Sequence, residues 1–417
     1  MVIVSMIDSS TLCVWAAAHR SGLLGRSSGR NQFVFSYDPA VKDHEDQVSL
    51  TMPVRLASWE SRELHPVFQM NLPEGALLEA IRRAVAKLAG EDDLTILRVT
   101  GGNQIGRNRF SLPGDASPGV VETRESLDEL LAYPDTEELF HHLVSKYALR
   151  SGVSGVQPKV ILEASERGTT TVGSYLVKSW GSDYPQLAAN EFFCMSAAQK
   201  AGLPVPEFHL ARNGGLFVMK RFDINDEGQS LGFEDFCSLQ ALGTAQKYSS
   251  TYERVAKSIK DFISPEWVQK AREQFFASLV LSCMVRNGDA HLKNFGVLYE
   301  RPGAPVCLAP VYDIVTTTAY IPKDIPALTL SGTKKWWSRK MLEQFAVAHL
   351  ALPIGVVSQI FEEVSEAVAT TRKMLSEYME GTPVFRNTGE AMLASWESGL
   401  SQYNGADLNK PKNRQHP

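Results

Sequence analysis

The chain lacks any cysteine pattern: Cys13, Cys194, Cys237, Cys283 and Cys307 are scattered, odd in number, and form no CxxC pair. That argues against a disulfide framework and a cysteine-based zinc site, and for reduced core thiols in a cytoplasmic protein. An excess of positive charge is also missing. With 42 Lys and Arg against 47 Asp and Glu the net charge is −5, so the molecule as a whole is not an electrostatic nucleic-acid binder. Long apolar runs are absent. The longest, near residues 275–285, falls short of the roughly 20 residues of a membrane span and contains Ser278 and Ser282. Residues 1–18 are mildly apolar, but they carry Asp8 and no basic n-region, which argues against a signal peptide. There is no Walker pattern, no full GxGxxG and no internal repeat.

What is present is a 417-residue chain, 44% hydrophobic and 21% charged, large enough for two or three lobes. Strand-like pieces at 2–6, 11–15 and 32–36 precede a helix opened by Pro73-Glu74-Gly75, with Leu77, Leu78, Ile81, Val85 and Leu88 at helical spacing. A Pro/Gly-rich stretch near 114–119 reads as a linker. Two helices follow, carrying Leu127, Leu130 and Leu131, then Leu139, Leu143 and Tyr147. Strands are expected at 159–163, 171–177 and 216–219, with a helix at 187–201 among them; long helices follow at 267–285, 341–350 and 356–378. The predicted division is 1–115 as an N-terminal α/β subdomain, 120–236 as a nucleotide-binding lobe, 237–401 as a helical catalytic lobe, and 402–417 as a disordered tail. Strands first and helices afterwards is the α+β order of two-lobed kinase-like folds.

The chemistry concentrates in Asn287-Gly288-Asp289-Ala290-His291-Leu292-Lys293-Asn294, followed by Val311-Tyr312-Asp313. Phosphoryl transfer needs a positioned nucleophile and neutralised phosphate charge rather than covalent help. Asp289 suits the role of accepting or orienting a hydroxyl proton. Asn294 and Asp313 offer hard oxygen ligands to magnesium, and Lys293 could reach the transferring phosphate. The alternative is a capped loop in which Asp289 and Asn294 bond backbone groups. Lys178, ending an apolar alternating run, suits the α/β-phosphates of ATP, with Glu191 on the next helix as a candidate partner. A solvated strand edge and a solvated helix face are the ordinary readings of these two. The small-residue loop Ser151-Gly152-Val153-Ser154-Gly155-Val156-Gln157-Pro158-Lys159 could bring backbone N–H groups to phosphates, or be a hairpin turn. Phe233-Glu234-Asp235-Phe236-Cys237 sits where a hinge would present backbone groups to adenine. Lys334-Lys335-Trp336-Trp337-Ser338-Arg339-Lys340 is the one dense basic-aromatic stretch, read as a helix entry with buried tryptophans and solvated lysines. His141 and His142 read as helix-surface residues.

Taken in order, SGVSGVQPK, LVK, NEFFC with AGLPVP, VMKRFD, EDFCSLQALG, NGDAHLKNFG and PVYD resemble the HipA-like toxin kinases, and FQMNLPEG and VTGGNQIGRNRF resemble that family's N-terminal lobe. The resemblance covers most of the chain. It implies a fold related to phosphoinositide kinases and an ATP- and magnesium-dependent serine/threonine protein kinase, the toxin of a bacterial toxin–antitoxin pair. It implies Asp289 as catalytic, with Lys293 beside it, and Asn294 and Asp313 as metal ligands. Nucleotide contacts are implied at Lys178, His291, Asn294 and Asp313, at Val153, Ser154, Gly155, Val156, Gln157 and Lys159 of a mobile ATP loop, and at the hinge residues Glu234 and Phe236. The implied partners are a HipB-like helix-turn-helix antitoxin, through which operator DNA would be reached, and a protein substrate such as an aminoacyl-tRNA synthetase. The implied outcome is growth arrest and persistence. Family loops commonly carry Ser-x-Ser-Gly before the Gln; here Gly152 replaces the first serine, which leaves Ser154 as the expected site of regulatory autophosphorylation. Two competing readings differ in class: a catalytically weak kinase-fold corepressor docked on a helix-turn-helix partner, and a small-molecule kinase.

Overall fold

Alternating apolar residues set the strands, and the helices cover the faces those strands leave dry. The structure, a computed structural model, describes residues 11–27, 32–41, 44–85, 92–115, 124–147, 152–153, 157, 159–165 and 172–404. The strand expected at 2–6 lies outside them. The chain forms two compact units. One comprises Met1–Asp183, Pro206–Lys247 and Phe295–Ala309; the other comprises Tyr184–Val205, Tyr248–Asn294 and Pro310–Pro417.

The first unit opens with β1 (Leu12–Ala16), β2 (His19–Arg26), β3 (Phe33–Tyr37), β4 (Trp59–Ser61) and, after helices α1 (Pro66–Gln69), α2 (Gly75–Val85) and α3 (Asp93–Thr100), β5 (Asn108–Ser111). They form an antiparallel sheet in the order β4-β3-β2-β1-β5. Leu12, Val14 and Phe35 from the strands meet Phe68 and Leu97 from the helices in one core. Asp92 caps α3 by accepting from the Leu94 and Thr95 N–H groups.

β6 (Arg124–Ser126), α4 (Leu127–Ala132), α5 (Thr136–Tyr147), β7 (Lys159–Ser165) and β8 (Val172–Lys178) follow. After α6 (Leu187–Lys200), which belongs to the second unit, come β9 (Phe208–Leu210) and β10 (Phe217–Lys220). The second sheet runs β6-β7-β8-β10-β9, antiparallel except for the β6–β7 pair. Val160, Leu162, Tyr175, Val177 and Val218 share a core with Leu130, Phe140 and Leu143 of α4 and α5. Because strand side chains alternate between faces, Lys159, Lys178 and Phe217 point to the opposite face. A third, antiparallel sheet joins β11 (Gly232–Asp235), just before α7 (Phe236–Leu239), to β12 (Gly296–Tyr299) and β13 (Val306–Leu308).

Buried polar contacts hold these sheets together. Arg221 pairs with Asp223 at 2.6 Å and also donates to Asn103 Oδ1 and the Gln104 carbonyl, while the Gly106 N–H donates to Asp223. The two stretches VTGGNQIGRNRF and VMKRFD are therefore one polar cluster.

The second unit is helical among its described residues: α6, α8 (Tyr252–Phe262), α9 (Pro265–Met284), α10 (Arg339–Leu350), α11 (Ile354–Gly381) and α12 (Arg386–Asn404). Ser264 and Pro265 start α9 in the usual N-cap and N1 places. Its second half, from Phe275 to Met284, is buried and packs on α11 and α12. The expected boundaries shift in three places. Helix α6, buried on nearly every side, packs on α9 and α11 and so belongs with the helices. The hairpin β12–β13 pairs with β11 and so belongs with the strands. Residues 402–404 fall in α12 rather than in a tail: Tyr403 is fully buried, and Gln402 and Tyr403 both donate to the Trp337 carbonyl. Residues 405–417 lie outside the described part.

Candidate active site

Helix α9 ends in a left-handed residue that is not glycine. Arg286 has φ 59°, and the Asn287 N–H closes back on the Ser282 carbonyl at 2.8 Å, a Schellman-type stop. The Arg286 guanidinium holds this turn by donating to Ser398 and Gln402 and lying 5.0 Å from the Trp336 ring. At Gly288 a Cβ would come within 2.1 Å of Asp324 Oδ2 and 2.9 Å of the Ile325 carbonyl, so a larger residue there requires Asp324 to move. Its N–H donates to Thr317 Oγ1, and the Asp289 N–H to Asn287 Oδ1. The His291 N–H then donates to the Asp289 carbonyl, and a 3-10 turn over Leu292–Asn294 completes the loop. Tyr252 and Tyr312 fix its backbone, donating to the carbonyls of Ala290 and Lys293 at 3.0 and 2.7 Å.

On this frame the second unit brings five predicted residues into one loop and its neighbour. Asp289 is half-buried and its Oδ1 accepts from the Tyr248 hydroxyl at 2.8 Å. Lys293 and His291 are buried, and the His291 ring meets Tyr248 edge-on at 5.1 Å. Asn294 donates from Nδ2 to Asp313 Oδ2 at 2.9 Å, while its Oδ1 accepts from the His291 N–H at 3.0 Å. Asn294 thus makes the backbone bond of the capped-loop alternative and also reaches Asp313. Asp313 has φ 61°, a costly conformation that Asp tolerates better than most residues. The segment behind it is clamped by Asn190, whose amide both accepts from and donates to the Thr316 backbone.

One carboxylate and one amide in contact suit magnesium, which takes few protein ligands and fills its remaining positions with phosphate oxygens and water. The group fits on one condition: the Asn294 amide must turn over, giving up the His291 N–H, so that Oδ1 rather than Nδ2 faces Asp313. Among the described residues there is no cluster of three or more His, Cys, Asp or Glu that could hold a metal by itself.

The remaining predicted residues lie in the first unit. Lys159 and Lys178 face each other across the β7–β8 register, 5% and 2% exposed, with Phe217 opposite Lys178 on the next strand. Gln157 donates to the Ser179 carbonyl at 3.0 Å, and Val153 is buried. Gly152 bridges to Gln104, and a Cβ on it would sit 2.4 Å from Gln104 Cγ. That close approach gives a physical reason for glycine where the resembling family has serine. Ser154, Gly155 and Val156 lie outside the described residues, and the regulatory-serine expectation with them.

The hinge expectation needs correcting at Phe236. Its N–H already donates to the Phe295 carbonyl at 2.9 Å, so that donor is not on offer to a base. Glu234 is buried as a tether, accepting from Ser49, the Leu50 N–H and Tyr299. Glu191, offered as a candidate partner of Lys178 with a solvated helix face as the ordinary reading, is fully buried, which removes the solvated-face alternative. The basic-aromatic stretch follows its expectation except at Trp336, which is only partly buried: Trp337 is buried, Lys334, Lys335 and Lys340 are exposed, and Ser338 caps α10. His141 and His142 are exposed on α5, and none of the five cysteines is in a disulfide. Sequence reasoning missed Tyr248, Arg286 and Thr317, which belong to no motif and become visible only through their contacts. No helix among the described residues is long and apolar enough to cross a membrane.

The chain matches the HipA-like C-terminal domain over residues 151–372 and the HipA N-terminal domain over residues 12–111. It is 30% identical over 312 residues to "Putative kinase Y4dM" of Sinorhizobium fredii, covering 69% of this chain and 70% of that protein. It is 29% identical over 187 residues to a "Putative kinase" of Haemophilus influenzae, covering 40% and 53%. The HipA of the Shewanella oneidensis MR-1 toxin–antitoxin system, solved with HipB and its operator DNA, superposes with a TM-score of 0.66 at 15% identity, covering 94% of this chain and 97% of that one. That likeness establishes the fold. With the C-terminal match spanning more than half of its length and the N-terminal match accounting for its first sheet, the chain belongs to the HipA family of kinase-like proteins.

Proposed function

We propose that the protein is an ATP- and magnesium-dependent serine/threonine protein kinase, the toxin of a bacterial toxin–antitoxin pair. Its substrate would be an aminoacyl-tRNA synthetase or another translation protein. The observation that carries this reading is the Asp289 loop: a carboxylate with a fixed partner, five residues before an asparagine that touches Asp313. In this reading Asp289 takes or orients the proton of the attacking hydroxyl. Lys293 balances charge on the transferring phosphoryl group, and Lys178 and Lys159 hold the phosphates. Asp313 and Asn294 hold magnesium, which when bound shields the phosphate charge. Ser154 is the site of regulatory phosphorylation. The partner would be a HipB-like helix-turn-helix antitoxin, supported by the company in which the Shewanella HipA was solved.

The test is transfer of labelled phosphate from ATP and magnesium into a lysate depleted of endogenous kinases, comparing wild type with Asp289→Asn. Label on a discrete protein with wild type, reduced at least ~100-fold in the variant, is the expected result. Equal label with both proteins, or none from wild type that still binds ATP, would overturn the reading in favour of a corepressor module.

A further inference from the structure

Three tyrosine hydroxyls converge on residues 289–293. Tyr252 and Tyr312 bond carbonyls and therefore fix the course of the loop. Tyr248 differs: it donates to Oδ1 of the Asp289 side chain at 2.8 Å. It lies in a turn ahead of α8, 44% exposed, with its ring edge-on to His291 at 5.1 Å. A base must face the proton it takes within about 3 Å, so the rotation of its carboxylate about the last bond matters. A donor fixed on one carboxylate oxygen removes that rotation. The ring contact with His291, itself bonded through its N–H to Asn294, in turn fixes the donor.

We propose that Tyr248 is a positioning residue for phosphotransfer, its hydroxyl holding the Asp289 carboxylate in the orientation that receives the substrate hydroxyl. The proposal rests on the kinase reading and adds a residue outside every motif of the sequence. Tyr248 acts through Asp289, the group to which its hydroxyl donates. Its loss should therefore slow turnover and leave nucleotide affinity alone. Tyr252 supplies the contrast, because its hydroxyl holds backbone and is buried.

The experiment compares full-length wild type, Tyr248→Phe, Asp289→Asn and the double variant, measuring kcat, KM for ATP and thermal midpoint, with Tyr252→Phe alongside. Phenylalanine keeps the ring against His291 and deletes only the hydroxyl. Expected for Tyr248→Phe is a fall in kcat of about tenfold with KM for ATP and the midpoint unchanged. In the Asp289→Asn background the same change should have no further effect, because the two groups act as one unit. Tyr252→Phe should instead lower the midpoint. Wild type without any transfer would sink the kinase reading and this proposal with it. Active wild type and dead Asp289→Asn, but Tyr248→Phe with unchanged or raised kcat, would overturn the role of Tyr248 alone. So would losses that multiply in the double variant.

Discussion

Glu234 is a carboxylate enclosed by protein with three donors aimed at it: Ser49 at 2.6 Å on one oxygen, the Leu50 N–H and Tyr299 at 2.7 Å on the other. Burial pushes its carboxyl up from 4.5, the largest influence on it, against the lowering effect of those three bonds. An isolated acid in GFED gives no hint that two of its partners lie some 185 positions earlier in the chain and the third 65 positions later. Two substitutions separate shape from charge. Glu234→Ala leaves three buried donors without an acceptor and should cost about 3 kcal/mol or more in urea unfolding at neutral pH. Glu234→Gln keeps the shape and one oxygen and should cost about 1 kcal/mol or less. The pH dependence has a fixed sign. The folded protein holds this proton more tightly than the unfolded chain, so the stabilisation is complete below 4.5 and is lost as pH rises through the raised folded value. Measured across that window, the difference between wild type and Glu234→Gln should move in favour of the glutamine variant with rising pH. A gap that stays constant would show that Glu234 does not titrate there.

Elements legible in the sequence were those with a clear apolar pattern: α2, α4, α5, α6, α9, α10 and α11 among the helices, β1, β3, β7, β8 and β10 among the strands. Among those that were missed, β2 and α12 contain glycines that read as breakers. In β2 a Cβ on Gly22 would lie 2.1 Å from the Ser36 carbonyl, so the residue that weakens the strand pattern is the one that lets β3 come close. In α12 a Cβ on Gly399 would lie 1.9 Å from the Met284 carbonyl, so that helix depends on α9 for its place. Likewise, the chemistry of the site was legible where it is local, in NGDAHLKN and VYD, and invisible where it arrives from a distance, as with Tyr248 and Arg286. The end of α9 yields a prediction that reverses the usual helix order. At φ 59° a Cβ is strained, so Arg286→Gly should be more stable than Arg286→Ala by about 1 kcal/mol, although both lose the guanidinium contacts with Ser398, Gln402 and Trp336. Chemical denaturation of the pair measures this directly; alanine at least equal to glycine would mean that the turn relaxes when the arginine is removed.

For the whole molecule, charge decides what it can hold without help. A net charge of −5 leaves local patches as the means of gripping a polyanion. The densest basic stretch has its aromatic members turned away from solvent: Trp337 is buried, and Trp336 donates to the Asp324 carbonyl at 3.1 Å. Arg339 is paired with Glu343 at 2.9 Å and lies over Phe361, which leaves Lys334, Lys335 and Lys340 as its exposed cations. Neutralising three phosphates gives a dependence of log K on log salt no steeper than about −3, and affinity in the weak, sequence-independent range of roughly 10–100 μM near physiological salt. Without a partner the protein should therefore give no specific shift of duplex DNA in a mobility assay. The triple change of Lys334, Lys335 and Lys340 to Glu should remove what weak binding there is, while leaving phosphate transfer unchanged. Tight, sequence-dependent binding by the chain alone, or a salt slope well beyond −3, would place a DNA-reading surface elsewhere on the molecule. It would also remove the main reason for assigning DNA contact to a helix-turn-helix partner.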